Sequence, residues 1–160
     1  MTKYKILIAL TLFAPAIPSV AQTFTTLASF DGTNGSEPYL MSLVQGTDGM
    51  FYGTTRVGGT YGSGSVFKLS PAGKLTGSYS FCAKTNCPDG RAPIGALVLG
   101  TDGNLYGATE YGGGKKDVGT VFKITTAGIL TTLATFDTTN GAQLAKICLT
   151  HRTPHAKVLV

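Results

Sequence analysis

Tryptophan is absent from this 160-residue sequence, and the two histidines, His151 and His155, both lie near the C-terminus. Between residues 22 and 142 there is no histidine. The Ser-His-Asp and Cys-His catalytic arrangements and histidine-rich metal sites are therefore excluded there. Charged residues make up only 13% of the chain, and no basic stripe with interleaved aromatic residues indicates a nucleic-acid partner.

The net charge of +5 comes from the two ends of the chain. Five of the 13 basic residues lie there, namely Lys3, Lys5, Lys146, Arg152 and Lys157. The remaining eight balance the eight acidic residues. The sequence has 22 glycines, many threonines and scattered tyrosine, phenylalanine, valine and leucine, a composition that favours short strands and turns over helices.

The N-terminus has the three-part pattern of a secretory signal peptide. Lys3 and Lys5 precede an apolar run at residues 6–13, and small residues at 19–21 predict cleavage after Ala21. A short membrane anchor is the alternative, but the run falls well below the roughly 20 apolar residues of a spanning helix. We therefore expect a secreted or cell-envelope protein of a bacterium, with no transmembrane segment after signal cleavage.

Export permits disulfides, and the sequence has three cysteines. Cys82 and Cys87 are close enough for a local disulfide that closes a short loop. A metal or redox pair would need a second cysteine pair or a histidine nearby, and residues 22–142 contain neither. Cys148 is left over in the C-terminal segment.

An internal repeat organises the rest of the chain. Residues 43–55 recur as residues 97–109, and residues 65–69 recur as residues 120–124. A third piece occurs three times, at residues 24–30, 75–81 and 130–136. The chain is thus divided into a signal peptide (1–21), a repeat region (22–142) with a partial unit (22–41) and two units (42–95 and 96–142), and a basic tail (143–160).

The tail departs from the repeat. The pattern predicts another Leu-Val unit after residue 142, but the sequence continues with a basic bias, Cys148, His151 and His155. Pro154 interrupts the helix that would align the two histidines, and two ligands fall short of a structural metal site. We interpret the tail as the product of a truncation or a frame shift.

Each unit is predicted to form four antiparallel strands, which in the first unit fall at about residues 42–45, 50–55, 65–69 and 74–81. Asp48 followed by glycine predicts a hairpin turn, and residues 70–73 (Ser-Pro-Ala-Gly) predict a β-turn. In the fourth strand Leu75, Tyr79 and Phe81 are expected to share one face. A loop at residues 82–93 leads to the next unit.

Four antiparallel strands per repeat are typical of a β-propeller blade. We therefore predict an all-β fold of propeller-like blades, with two complete repeats that form an incomplete propeller, because a propeller typically has four or more blades. A β-sandwich with two similar halves is the alternative. The recurrence of the same turns at one period favours the propeller.

The repeat resembles the GloVer family, the Gloeobacter/Verrucomicrobia tandem repeats of exported bacterial proteins. The matching pieces are residues 102–109 (Asp-Gly-Asn-Leu-Tyr-Gly-Ala-Thr), 112–113, 119–124 and 130–133, and the first unit carries similar pieces. The resemblance covers about residues 24–141. It implies an exported or cell-envelope protein with many repeat copies, and it brings no catalytic residues.

Two pairs of repeated side chains have both a functional and a structural interpretation. Asp48 and Asp102 could be catalytic or calcium-binding carboxylates, but each is followed by glycine, which favours a role in the turn. Tyr52 and Tyr106 could stack on a sugar ring, but their place in a strand favours core packing. We therefore assign no catalytic residue, no metal ligand and no cofactor.

Binding residues are expected in loops where the two units differ, although such positions often vary without function. The candidates are Arg56, Tyr61, Glu110 and Tyr111. We expect a non-catalytic module that binds or adheres through these loops, with partners among extracellular glycans, proteins or further copies of the chain. The alternative is a fragment of a larger secreted carbohydrate-active propeller enzyme.

Overall fold

The computed structural model describes residues 23–39, 41–137 and 139. These residues form eight strands and no helix. The strands are β1 (Val44–Gln45), β2 (Phe51–Thr55), β3 (Ser65–Leu69), β4 (Leu75–Ser80), β5 (Arg91–Leu99), β6 (Leu105–Tyr111), β7 (Thr120–Ile124) and β8 (Leu130–Thr135). The predicted signal peptide and the tail, with Cys148, His151 and His155, lie outside the described residues.

The strands form two four-stranded sheets, each in sequence order. Sheet I has the order β1-β2-β3-β4 and sheet II the order β5-β6-β7-β8, and all neighbouring strands are antiparallel. This confirms the all-β fold with blades of four antiparallel strands. The described part of the chain contains two such propeller-like blades and no closed ring of sheets.

Local side-chain chemistry sets the tight turns between the strands. Asp48 Oδ1 accepts a hydrogen bond from the Met50 N–H (3.2 Å), and Asp102 Oδ1 accepts one from the Asn104 N–H (3.1 Å). The glycine after each aspartate has a φ of 76°, a conformation that glycine adopts without steric cost. The aspartates therefore serve the turns, in accordance with the structural interpretation of the sequence.

Residues that are paired across antiparallel strands lie on the same side of a sheet, which divides each sheet into two faces. The front face of sheet I carries Val44, Tyr52 and Val66, and the back face carries Phe51 and Phe67. In sheet II the corresponding front-face residues are Val98, Tyr106 and Val121, and the back-face residues include Leu105, Phe122 and Ile124.

The hydrophobic core lies between the front face of sheet I and the back face of sheet II. Its fully buried members are Tyr52, Val66 and Phe81 from the first unit and Leu97, Leu105, Phe122 and Ile124 from the second. The rings of Phe81 and Phe122 meet edge to face, with centroids 5.2 Å apart. Tyr52 therefore belongs to the core, as its strand position predicts.

The second sheet begins earlier than the sequence suggests. The expected loop at residues 82–93 ends before Arg91, the first residue of β5, and this start precedes the predicted unit boundary at residue 96. Pro93 lies inside the strand opposite Thr109. β5 is an edge strand of sheet II, where a residue without an N–H is tolerated.

A β-bulge changes the expected faces of β4. Leu75 pairs with Leu69 on the back face, whereas Tyr79 pairs with Val66 on the front face, because the register shifts between Val66 and Phe67. The expectation that Leu75 and Tyr79 share a face is therefore wrong. Strict alternation along a strand holds only where no extra residue is inserted.

Candidate functional site

The longer connections of both sheets lie at one end of the molecule, which we call the loop end. They join β2 to β3, β4 to β5 and β6 to β7, and the turn at residues 31–35 lies beside the first of them. The Gly59 N–H donates to the Gly32 carbonyl (2.9 Å), and the Gly113 N–H donates to the Cys87 carbonyl (2.8 Å). Backbone contacts therefore fix these loops against one another.

Gly58 shows why these loops are rich in glycine. Its φ is 79°, and a Cβ at this position would lie 2.7 Å from the Gly32 carbonyl oxygen. Only a residue without a side chain permits this approach. Of the predicted loop candidates, Arg56 and Tyr61 lie in the β2–β3 loop, whereas Glu110 and Tyr111 are the last two residues of β6.

Arg56 and Glu110, which occupy equivalent positions in the two units, form an ion pair between the sheets. The distance from Arg56 Nη2 to Glu110 Oε2 is 2.9 Å, and the side chains are 34% and 24% exposed. The hydrogen bond to Glu110 raises the pKa of the Arg56 guanidinium. Two of the predicted binding residues thus bind each other and link the two blades.

Tyr111 extends this ion pair into a longer array within sheet II. A hydrogen bond with Glu110 raises the pKa of the Tyr111 hydroxyl. The guanidinium of Arg91 lies over the Tyr111 ring, 4.6 Å from its centroid. Arg91 also donates two hydrogen bonds to Asp117, of 3.1 and 2.6 Å, and these lower the pKa of the Asp117 carboxyl.

Sequence reasoning missed Arg91 and Asp117, although one signal for Arg91 is present in the repeat. Arg91 aligns with Glu37, just as Glu110 aligns with Arg56. The Glu37 charge helps to raise the pKa of Arg56, after the larger effect of Glu110. At both positions the charge is therefore inverted between the two units.

Tyr61, the fourth predicted candidate, lies apart from this array. Its side chain is 52% exposed, and its backbone N–H donates to Ser80 Oγ (3.4 Å). The structure therefore brings together Arg56, Glu110 and Tyr111, and it places Tyr61 on the outer side of the first blade, beside β4.

A shallow cleft of about 210 Å³ opens next to Tyr61. Hydroxyl groups and one amide dominate its lining, which consists of Thr33, Asn34, Gly59, Thr60, Ser65, Gly77, Ser78, Tyr79 and Ser80. No sequence pattern indicates this cleft, because its walls come from the partial unit, the β2–β3 loop, the start of β3 and β4.

A comparison with protein families finds a repeat family, in agreement with the two similar sheets. The sequence model of the Gloeobacter/Verrucomicrobia repeat matches residues 11–153. The chain belongs to this family. A comparison with curated proteins finds no match. The resemblance predicted from the sequence is thereby confirmed.

The first complete copy of the Gloeobacter/Verrucomicrobia repeat ends in a cross-linked loop. Cys82 and Cys87 form a disulfide. Asp89 Oδ2 accepts hydrogen bonds from the Tyr79 hydroxyl (2.8 Å) and from the Cys82 N–H (3.0 Å). Burial, together with the bond to Asp89, raises the pKa of Tyr79 far above its ordinary value. In the partial unit, Asp31 holds the equivalent turn through hydrogen bonds from Thr33 and Asn34.

The opposite end of the sheets, the turn end, contains Asp48 and Asp102. Lys68 Nζ lies 2.7 Å from Asp48 Oδ2, and the Tyr52 hydroxyl donates to the same oxygen (2.9 Å). Asp102 Oδ2 accepts from the Asn104 amide (2.6 Å) and from the Tyr106 hydroxyl (2.8 Å). These bonds lower the pKa of both carboxyls, for Asp48 chiefly through Lys68 and for Asp102 chiefly through Asn104.

Among residues 23–39, 41–137 and 139, no group of three or more metal-ligating side chains is close enough to hold an ion. Within the same residues, no helix has the length and apolar character needed to cross a membrane.

Proposed function

We propose that this chain is an exported, non-catalytic binding module of the bacterial cell envelope, and that the cleft beside Tyr61 binds a neutral glycan. The observation that carries the proposal is the chemistry of this cleft. Short hydroxyl side chains line it, and Tyr61, which is 52% exposed, directly follows the lining residue Thr60 in the sequence. Its volume is below the roughly 300–1,000 Å³ of drug-sized pockets, which fits a single sugar ring.

The lining suits sugar hydroxyls because it has both donors and acceptors. Thr60 and Ser78 each contribute a hydroxyl group that both donates and accepts, and Thr33 Oγ1, which donates to Asp31 Oδ1 (2.7 Å), contributes an acceptor. No Lys, Arg, Asp or Glu lines the cleft. A neutral, polyhydroxylated ligand therefore matches the cleft better than an ion does.

Tyr61 supplies the apolar part of the proposed site. Its ring is 52% exposed, and its backbone is held by Ser80, which lines the cleft. An aromatic side chain offers a large, rigid surface with a polar tip. We infer that the C–H face of the sugar lies on the Tyr61 ring while its hydroxyls bond to the cleft.

The carboxylates support binding over catalysis. A general acid needs a pKa raised towards the working pH. The pKa of Asp48, Asp102 and Asp117 is instead lowered, because each accepts hydrogen bonds from neighbouring side chains or from the backbone. These groups stay ionised and hold the turns and loops together.

The disulfide supports export. A bond between Cys82 and Cys87 persists in oxidising compartments, which is where a signal peptide at residues 1–21 would deliver the chain. The predicted cleavage after Ala21 is tested directly by mass spectrometry of the chain recovered from the periplasm or the medium of a bacterial host.

Glycan binding is tested with an array of neutral bacterial and plant glycans, followed by calorimetry on the best ligand. Tyr61→Ala should weaken binding by about tenfold or more, because a stacked aromatic contributes roughly 1.5 kcal/mol or above. Thr60→Val should also weaken binding through the loss of a cleft hydroxyl. Tyr39→Ala is the matched control, since Tyr39 is 56% exposed and lies outside the cleft lining.

Each result decides between binding hypotheses. Equal loss of affinity in the Tyr61 and Tyr39 variants would place the ligand elsewhere. A ligand that is acidic, or whose binding falls steeply with salt, would indicate the Arg56–Arg91 side of the loop end in place of the cleft. Release of hydrolysed sugar would contradict the non-catalytic assignment.

A further inference from the structure

We propose that the front face of sheet II binds a second copy of this chain, on the back face of that copy's sheet I. The proposal does not depend on glycan binding, although the proposed surface adjoins the cleft, whose lining includes Gly77 of the back face of sheet I. It rests on an interface that the molecule already contains once, between its own two blades.

The internal interface has a geometric signature that is repeated at the N-terminal side of the molecule. Phe81 of the first unit meets Phe122 of the second with ring centroids 5.2 Å apart at 64°. Phe30 meets Phe67 with centroids 5.0 Å apart at 68°. Because Phe30 aligns with Phe81, and Phe67 with Phe122, residues 24–30 occupy the place of a preceding blade's last strand.

A backbone contact shows the same equivalence. A Cβ at Gly128 would lie 2.6 Å from the Ser78 carbonyl oxygen, and a Cβ at Gly73 would lie 2.6 Å from the Leu27 carbonyl oxygen. Gly73 aligns with Gly128, and Leu27 with Ser78. The N-terminal segment (residues 24–30) therefore contacts the back face of sheet I as β4 contacts sheet II.

The N-terminal segment is also a near copy of β8 and the residue after it. Its sequence is Phe-Thr-Thr-Leu-Ala-Ser-Phe, and residues 130–136 read Leu-Thr-Thr-Leu-Ala-Thr-Phe. The segment forms no strand pair, whereas β8 is hydrogen-bonded within a complete sheet. Sheet II of a second copy, with its β8, can thus replace the segment on the back face of sheet I.

The front face of sheet II has the residues of an interface, but no blade covers it among the residues that the structure describes. Tyr52, Val66 and Phe81 are all 0% exposed in the first unit. Their counterparts Tyr106, Val121 and Phe136 are only half-buried. Two further apolar side chains on this side, Val98 and Leu133, are each 50% exposed.

The back face of sheet I is covered by residues 24–30 in place of a blade, and Phe67 on this face is only 2% exposed. The cover is incomplete at its outer side, because Leu27 is 54% exposed and Leu43, which aligns with the buried Leu97, is 49% exposed. Each end of the molecule therefore presents apolar residues, and the two ends differ in the way that a head-to-tail contact requires.

The charges at the loop end match this arrangement. Arg56 of the first unit pairs with Glu110, the equivalent residue of the second unit. In the proposed contact, Glu110 of one copy would face Arg56 of the next. The sign at this position alternates from blade to blade, so that every contact between neighbouring blades joins opposite charges.

Polar groups on the open face could also bond as their counterparts do. Lys68 Nζ donates to the Thr126 carbonyl (3.5 Å), and the Tyr52 hydroxyl, which donates to Asp48, lies 3.3 Å from the same carbonyl oxygen. Tyr106 and Lys123 are the same residue types in the second unit. Their acceptor in a second copy would be the carbonyl of Pro71, which aligns with Thr126.

Two hydrogen bonds between the blades of one chain cannot form at the proposed interface between two copies. Thr54 Oγ1 donates to the Gly95 carbonyl (3.3 Å), but Ala108 stands at its place in the second unit. The Ala92 N–H donates to the Ser63 carbonyl (2.8 Å), but Pro38 stands at its place in the first. Since the N-terminal segment must also be displaced, we expect a reversible association that depends on concentration.

The proposal is tested by sedimentation velocity over a wide concentration range, with the mature chain of residues 22–160. Leu133→Asp should weaken association by at least about tenfold, because an apolar contact is replaced by a charge. Val98→Asp should do the same and serves if the first variant misfolds. Ile129→Asp is the matched control, because Ile129 is 66% exposed and lies in the β7–β8 turn, on the side of sheet II that already faces sheet I.

A fourth variant tests the role of the N-terminal segment. Phe30→Ala removes its ring contact with Phe67 and should strengthen association, because the segment then competes less well for sheet I. A synthetic peptide of residues 24–30 should reverse that gain. Circular dichroism of each variant confirms that the sheets are intact.

The proposal is overturned by either of two results. The first is a monomer at every concentration, both for the unaltered chain and for Phe30→Ala. The second is association that Leu133→Asp and Val98→Asp leave unchanged, which would place the contact on another surface. If the peptide binds but the chains do not associate, the proposal is also overturned, because sheet I would then bind only residues 24–30.

Discussion

The two blades have nearly the same front face, but only one of these faces is buried. Val66 and Phe81 in sheet I are fully buried, whereas Val121 and Phe136 in sheet II are only half-buried. Residue type, strand register and turn chemistry are alike in the two units. The difference comes from the neighbour, since sheet I is covered by sheet II and the described residues include no third sheet.

This comparison separates what a repeat determines by itself from what stacking adds. Each unit forms its own strands and turns, as the equal φ of 76° at Gly49 and Gly103 shows. Burial of the aromatic front face needs the next unit. The free energy of the fold is therefore concentrated at the interface between the blades.

The largest expected effect comes from the equivalent residues Phe81 and Phe136. Phe81→Ala should lower the free energy of unfolding by about 3–5 kcal/mol, because it removes a fully buried ring that packs on Phe122. Phe136→Ala should cost less than about half of that, since its ring has no covering blade. Urea unfolding of both variants, at a concentration where the chain is monomeric, measures the difference.

Equal losses of unfolding free energy in the two phenylalanine variants would contradict the difference in burial between the two front faces. They would mean that Phe136 is covered as fully as Phe81 in solution, for example by the C-terminal tail. The same measurement on Val66→Ala and Val121→Ala repeats the test with a smaller side chain and should give the same order.

A smaller effect is expected from Gly128 and Gly73. Gly128→Ala should cost about 2 kcal/mol or more, because φ is 85° and the new Cβ would meet the Ser78 carbonyl, which β4 holds in place. Gly73 has a φ of 84°, and in Gly73→Ala the new Cβ would meet the Leu27 carbonyl of the unpaired N-terminal segment. That segment can move away, so we expect the cost to be nearer 1 kcal/mol.

Thermal unfolding and limited proteolysis together measure this second comparison. Gly73→Ala should increase cleavage within residues 24–30 while the core strands stay protected. If Gly73→Ala were as destabilising as Gly128→Ala, with no local increase in cleavage, the segment would be an integral part of the first blade.

Most of the strands could be predicted because local chemistry determines them. Asp48 with its glycine, and the Ser-Pro-Ala-Gly turn, mark the ends of strands in any context. The bulge opposite Val66 and Phe67 could not be read from residue alternation, since an inserted residue leaves the local composition unchanged. The start of β5 could not be predicted either, because Pro93 normally indicates a loop.

The site was harder to predict than the strands. Arg56, Glu110 and Tyr111 were identified as loop residues that differ between the units, but their contact depends on how the blades stack. The cleft beside Tyr61 needs residues from three separate segments. No pattern in one unit encodes such a surface, whereas the charge inversion at Glu37 and Arg91 is visible once the units are aligned.

The smallest expected effect compares Asp48 with Asp102 at the turn end. The folded-state pKa of both carboxyls is below the ordinary value of 3.8, for Asp48 chiefly because of Lys68. A lowered folded pKa means that the stabilisation is present above about pH 4 and is lost as the pH falls through the folded value. Acid should therefore destabilise the fold between pH 4 and pH 2, in part through Asp48.

Replacing each aspartate by asparagine separates their contributions. Asp48→Asn should lower the melting temperature at pH 7 by about 2 °C, as expected for a partly exposed ion pair, and should reduce its further fall on acidification. Asp102→Asn should change both quantities less, because Asp102 is bonded mainly to the neutral groups of Asn104 and Tyr106. Scanning calorimetry from pH 7 to pH 2 measures both. If Asp102→Asn had the larger effect, Lys123 and a neighbouring blade would have to contribute to that turn, which would support the stacking of a second copy on sheet II.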